Sequence, residues 1–598
     1  MPLHRFASRA ILCFASAAWV ASAGFAPAAA KVSESLSVAT PFEVGDSPAG
    51  NYLAAVVAGA DRDTIAAATF FREALRFDPR NKDLVERAFV AALTNGSMPE
   101  AFTLAERLLV LEPDNGLAHL ALGVRALKAH QYSAARWQFG RGGGGEGGDL
   151  TATLLSAWAY QGSGQTRRAL DLVNKLDEDN FAVFRAYHQA LIADVAGRKD
   201  QAAQSFQAAY NADKSTLRLV DAYARFLSET GKNDQATQVY TAFSQIMPDH
   251  PAVRAALIDL KDGKTLTPLV KDVDQGAAEV LYGLGAAGGR QGDDLAGLIY
   301  LRLSLYLDPN NALALLTLGD LYERINQNEQ ALDIYQDVPQ TDPLRETADI
   351  EISQVLENLN RSDQALSHLR DVVDDHPYDE AALSALGNLQ RAHDHYDQAV
   401  VSYTRAIAAS KKPESDNWPL YYFRGIAYER SKDWPKAEAD FKHALQLFPD
   451  QPLVLNYLGY SWVDKGINLG EAFPMLRKAV ELRPTDGYIV DSLGWAEYKL
   501  GHYQEAVTDL EKAIDLKPAD PVINDHLGDA YWHVGRKLEA HFQWNHARDM
   551  GADPSDLPRI LKKIKYGLDA VPTKAGEAKP VIGEKPTAAD AGHKQNGG

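Results

Sequence analysis

The residues whose types and spacing could do chemistry are few. Gly283, Gly285 and Gly288 form a GxGxxG pattern with Asp308 twenty residues on, the arrangement that seats a pyrophosphate on a glycine turn and a ribose on an acid. Such a turn needs a strand before it, whereas the surrounding segment reads as helix. Gly263-Lys264-Thr265 ends like a phosphate loop, but Ile258 stands where the first glycine belongs. His393 and His395 flank Asp394 with no third ligand near in sequence, which is thin for a metal. The chain has no HExxH and no GxSxG, and its single cysteine, Cys13, lies in an N-terminal apolar stretch. The expectation is therefore no catalytic residue, no cofactor and no metal.

The GxGxxG glycines have another explanation in the elements that position them. Gly285 lies 34 residues before Gly319, and the same register continues through Ser353, Gly387, Gly425, Gly459, Gly494 and Gly528. Alanine recurs twelve or thirteen residues later at Ala331, Ala365, Ala399, Ala437, Ala472, Ala506 and Ala540. An aromatic such as Tyr335 or Phe441 follows, and a proline (Pro309, Pro343, Pro377, Pro449, Pro518) closes the unit. Two antiparallel helices approach closely only where side chains are small, a ring fills the space left, and proline ends the second helix. This is the tetratricopeptide pattern, and it predicts an all-α superhelical solenoid of helix-turn-helix hairpins. Toward the N-terminus the phase persists more weakly, at Ala67 with Phe71, Ala101, Gly123 with Ala135, Ala169, Ala202 with Phe206, and Ala236 with Tyr240. About thirteen units fit between Gly50 and Gly551, with Leu266 to Gln275 fitting least well.

Stacked hairpins curve, and positions 2, 5, 9, 12 and 13 of each first helix line the inner groove. In the last three repeats this selects Asn456, Tyr460 and Asp464, then Asp491, Trp495, Tyr498 and Lys499, then Asp525, Asp529, Trp532 and His533. Aromatics interleaved with carboxylates suit a peptide carrying apolar and basic residues. Packing of Trp495 and Trp532 between neighbouring repeats is the alternative reading. The Lys and Asn set that clamps a C-terminal carboxylate in co-chaperone repeats is missing from these positions.

The ends and the charge complete the layout. Residues 1–30 read as a secretory signal, with Arg5 and Arg9 before an apolar run from Ala10 to Val20 and small-residue cleavage sites ending at Ala23 or Ala30. A linker (31–49), weakly patterned repeats (50–265) with a glycine-rich loop (141–149), a regular array (276–551), a capping helix (552–569) and a disordered tail (570–598) follow. No later run is apolar enough to span a bilayer, so the expected mature chain is periplasmic and not integral to the membrane. The net charge is −19, and the signal removes two arginines and no acid, so nucleic acid is disfavoured as a ligand.

Three blocks go beyond the generic repeat: GNYLAA from Gly50, IVDSLGWAEYKLG from Ile489 and INDHLGDAYWHVGRKLEAHFQWNHA from Ile523. They resemble the bacterial envelope repeat proteins of the LbcA type, outer-membrane lipoprotein adaptors. The resemblance spans Gly50 to about Ala547 and departs at the signal, where Ala10-Ile11-Leu12 precede Cys13 in place of a lipobox. It implies a non-enzymatic scaffold that binds a periplasmic carboxyl-terminal processing protease and presents its substrates, such as cell-wall hydrolases, with peripheral association to the outer membrane. The alternatives are a scaffold for exopolysaccharide secretion or outer-membrane assembly and, more remotely, an enzyme of unrecognised type.

Overall fold

The computed structural model describes residues 45, 47–142, 149–410 and 414–570. The expected signal, most of the linker, the core of the glycine-rich loop and nearly all of the tail lie outside them. The described residues hold thirty α-helices, two short 3-10 helices and no strand. None of these helices is long and apolar enough to cross a membrane.

Several hairpins begin the same way. A proline two residues before the cap ends the preceding helix, and an Asn, Asp or Gln side chain then accepts from an amide of the first turn. Pro79 with Asn81, Pro309 with Asn311, Pro449 with Gln451 and Pro518 with Asp520 all do this. Most hairpin turns then close through one left-handed residue, glycine at Gly96, Gly501 and Gly535 but Asn326, Asp394 and Lys432 in others.

The contact inside a hairpin is set by the glycine and the ring. A Cβ placed on Gly319 would lie 2.2 Å from the Tyr335 ring, and one on Gly425 would lie 2.7 Å from Phe441. The same meeting occurs between Gly123 and Phe139 and between Gly528 and Trp544. All seven alanines of the regular repeats are fully buried. A larger side chain at either position would hold the two helices apart.

The chain divides into two compact units, residues 1–365 and 366–598. The first unit departs from a plain array twice. Helix Pro251–Lys261 is followed by a non-helical stretch, 262–272, pinned to helix Leu217–Glu229: the Leu266 N–H donates to Ser228 Oγ at 3.0 Å and Arg225 donates to the Thr267 carbonyl at 3.2 Å. This stretch is where the periodicity fades in sequence. The following hairpin, Val273–Arg290 with Asp294–Leu307, then packs back against much earlier inner helices: Lys82–Thr94, Gly116–Lys128, Leu150–Gly162 and Glu178–Val195.

In the second unit the hairpins stack in sequence from Glu380–Ala392 to Lys537–Asp549, and helix Leu557–Tyr566 packs on the last of them.

Candidate functional site

The inner face of the first unit is filled by its own chain. Gly276 sits under the buried Trp158 indole, where an added Cβ would lie 2.2 Å from the ring. Glu279 accepts from Tyr187 at 3.0 Å and from the Arg218 guanidinium. Lys128 donates to the Leu307 carbonyl at 2.6 Å, and the Tyr322 hydroxyl donates to the Thr94 carbonyl at 2.9 Å. Phe102 meets Tyr306 edge-on at 5.0 Å. The GxGxxG glycines are interior residues of helix Val273–Arg290, with Gly285 against Leu301, so they serve packing. Asp308 caps the helix that follows.

The eleven groove residues expected from the sequence all fall in the second unit, on helices Pro452–Lys465, Gly487–Lys499 and Pro521–His533. Tyr460, Asp491, Trp495, Tyr498, Asp525 and Asp529 are buried; Asn456, Asp464, Lys499 and Trp532 are half-buried; His533 is exposed. Asp491 faces His526 Nδ1 at 3.0 and 3.1 Å, a geometry that places a proton on that nitrogen. The His526 ring stacks on Trp495 at 3.8 Å, and Trp495 stacks on Tyr498 at 4.5 Å. The packing reading therefore describes the Trp495 ring. Its indole N–H has no partner, however, nor has the Asn456 side-chain oxygen one repeat earlier. Asp464 and Lys499 face each other at 3.7 Å.

Around the last repeat the groove residues meet helix Leu557–Tyr566. Lys563 Nζ lies 2.9 Å from both Asp525 oxygens and 2.7 Å from Asp529, and Arg559 adds a contact of 2.7 Å to Asp525. Burial pushes both carboxyls up. At Asp525 the Lys563 and Arg559 charges outweigh burial and leave it below the ordinary range, whereas Asp529, with Asp525 beside it, stays above. Trp544 donates to Asp529 at 2.9 Å, and the Trp532 ring covers Gly567, whose φ of 79° and lack of a side chain both suit glycine.

Sequence models of the tetratricopeptide repeat match residues 313–344, 382–416, 418–451 and 494–535. The chain carries tetratricopeptide repeats over these residues. It is 33% identical over 102 residues to the TPR repeat-containing protein PA4667 of Pseudomonas aeruginosa, a match that spans 17% of each chain. Among solved structures it is similar to Cut9 with Hcn1 of the APC/C (15% identical, 86% of this chain and 96% of that one, TM-score 0.36). It is also similar to YrrB, a TPR protein with an unusual peptide-binding site (20% identical, 32% and 97% covered, TM-score 0.26). Yeast Tom70 is a third such structure (12% identical, 87% and 95% covered, TM-score 0.31). At these scores the solved structures do not bear on what this chain binds.

One polar group of the repeats escaped the sequence reading. The Tyr335 hydroxyl lies 2.7 Å from both Asp320 and Glu323. Burial, with neighbouring carboxylates adding to it, pushes Glu323 up to about 7 and Glu351 to about 8. Asp320 and Glu323 occupy positions 9 and 12 of their repeat, the positions used to select the groove further on, so the signal was present. Glu351, at position 6, lies outside that rule.

Proposed function

We propose that this protein is exported to the periplasm and acts as a scaffold that holds other proteins, presenting envelope proteins such as cell-wall hydrolases to a carboxyl-terminal processing protease. Tetratricopeptide repeats support a protein-protein interaction scaffold in general. The observation that carries the reading is the unsatisfied pair on neighbouring inner helices, the Asn456 acceptor and the Trp495 donor. A buried polar group left unmade costs about 1–3 kcal/mol, and because both atoms are shielded from solvent a partner gains from them only by shifting the side chains that cover them. Holding rather than transforming also fits the use of the Gly285 segment for packing against Leu301. The protease and its substrates come from the resemblance of the Gly50, Ile489 and Ile523 blocks to envelope adaptors.

The test is affinity capture from an envelope extract with the mature chain, beside a variant carrying Asn456→Leu and Trp495→Phe, which removes both polar atoms and keeps the ring. Recovery of a processing protease or a cell-wall hydrolase that falls in the variant supports the proposal. Repeated failure to recover either would overturn it.

A further inference from the structure

The other inner helices of the second unit are held by apolar contacts. In helix Pro521–His533, for instance, Ile523, Leu527 and Ala530 are all fully buried. Helix Leu557–Tyr566 is held differently. Only Ile560 and Lys563 of its ten residues are buried, while Leu561 and Tyr566 are 44% and 61% exposed. Its attachment joins Ile560, Ile564 and Leu568, which pack on the core of the second unit, to Lys563 on Asp525 and Asp529, Arg559 on Asp525, and Gly567 under Trp532.

Buried ion pairs of this kind add little net stability relative to apolar packing, because each charge gives up its water. They are strict about what may sit there, since a helix without the two cations would leave Asp525 and Asp529 buried and unpaired. The seat is selective for cations. The cations are also spaced for a helix: Arg559 and Lys563 are four residues apart and so on one face.

Building on the protein-holding reading, we propose that Asp525, Asp529 and Trp532 form a docking seat for a basic helix of a partner protein, with two cations four residues apart and a small residue one turn on. The chain's own helix Leu557–Tyr566 holds the seat until such a helix displaces it. The partner's pattern is Arg or Lys, three residues, Lys, three residues, Gly, as read from Arg559, Lys563 and Gly567. The seat then opens only in exchange for a matching ligand, and the intact chain shows an affinity lowered by the fraction of time its own helix occupies it.

The probe is a labelled synthetic peptide with the sequence of residues 555–568, followed by fluorescence anisotropy. Full chain carrying Arg559→Ala and Lys563→Ala is expected to bind the peptide about tenfold or more tightly than the unaltered chain. Adding Asp525→Asn and Asp529→Asn should abolish that binding. Equal affinity for a control peptide with glutamine at both cation positions, or no binding by the loosened chain, would overturn the proposal. Should the loosened chain misfold, hydrogen exchange on the unaltered chain decides: saturating peptide must speed exchange of amides 557–566, and unchanged exchange refutes displacement. Failure of the unaltered chain to capture a processing protease or a cell-wall hydrolase, with a normal peptide result, would defeat the scaffold reading alone, so the two failures are distinguishable.

Discussion

The two units are built from one hairpin and use their inner faces differently. In the first, the hairpin Val273–Leu307 packs against the inner helices of repeats as far back as Lys82–Thr94, so the groove is consumed as core. In the second, neighbouring repeats touch in sequence and the inner face keeps unsatisfied polar atoms at Asn456 and Trp495, with a charged helix on its last repeat. The same fold thus yields an inner face filled by a later hairpin or one lined by successive repeats. What separates them is whether a later hairpin presents small residues and a buried charge to the groove, as Gly276 and Glu279 do to Trp158 and Arg218.

That contrast can be broken most forcefully at Trp158. Trp158→Ala should destabilise the first unit by about 3–5 kcal/mol through the cavity left under Gly276. Hydrogen exchange should show faster opening of helices 150–162 and 273–290 and no change in 418–430; an equal change in both would mean that the units do not open separately. Next, Gly425→Ala forces a Cβ against Phe441 and should cost the second unit about 1–3 kcal/mol, seen as a lower melting temperature of that unit only.

The pH response sharpens the comparison further. Glu351 in the first unit is raised from 4.5 to about 8, so the folded state holds a proton that the unfolded chain releases. Its contribution is full below about 4.5 and is lost as pH rises through about 8. Glu351→Gln should therefore flatten the decline in melting temperature between pH 5 and pH 8, measured by calorimetry; an unchanged decline would place its origin elsewhere. The smallest effect separates two equivalent surface ties. Arg72 meets Glu100 at 2.6 Å in the first unit, whereas Arg370 in the second meets Gln398 at 3.5 Å. Gln398→Glu should stabilise the second unit by about 0.2–1 kcal/mol, and the gain should vanish in high salt.

Much of this was legible in the sequence because the repeat is a local code. Gly319, Ala331 and Tyr335 predict one another's neighbourhood within a single hairpin, and proline-plus-cap pairs mark many of the boundaries. The candidate groove was legible as positions but not as contacts. Trp495 was selected by its repeat position, yet its stacking between His526 and Tyr498 depends on the next repeat as well as its own. Asp525 and Asp529 read as free carboxylates; that Lys563 would reach both required knowing where a helix more than thirty residues on comes to rest. The change in regularity near residue 276 suggested a boundary there, but the compact units divide at 365, because hairpin Val273–Leu307 spends its inner face on earlier repeats.

The sequence by itself determined the hairpin, its period, its turns and the choice of inner-face residues, since each depends on residues fewer than about forty apart, within one repeat and its neighbour. Only the tertiary structure decided which groove is filled by a later hairpin and which is not. That outcome rests on contacts such as Gly276 with Trp158 and Tyr322 with Thr94, between residues far apart in the chain, and a period of 34 carries no record of them.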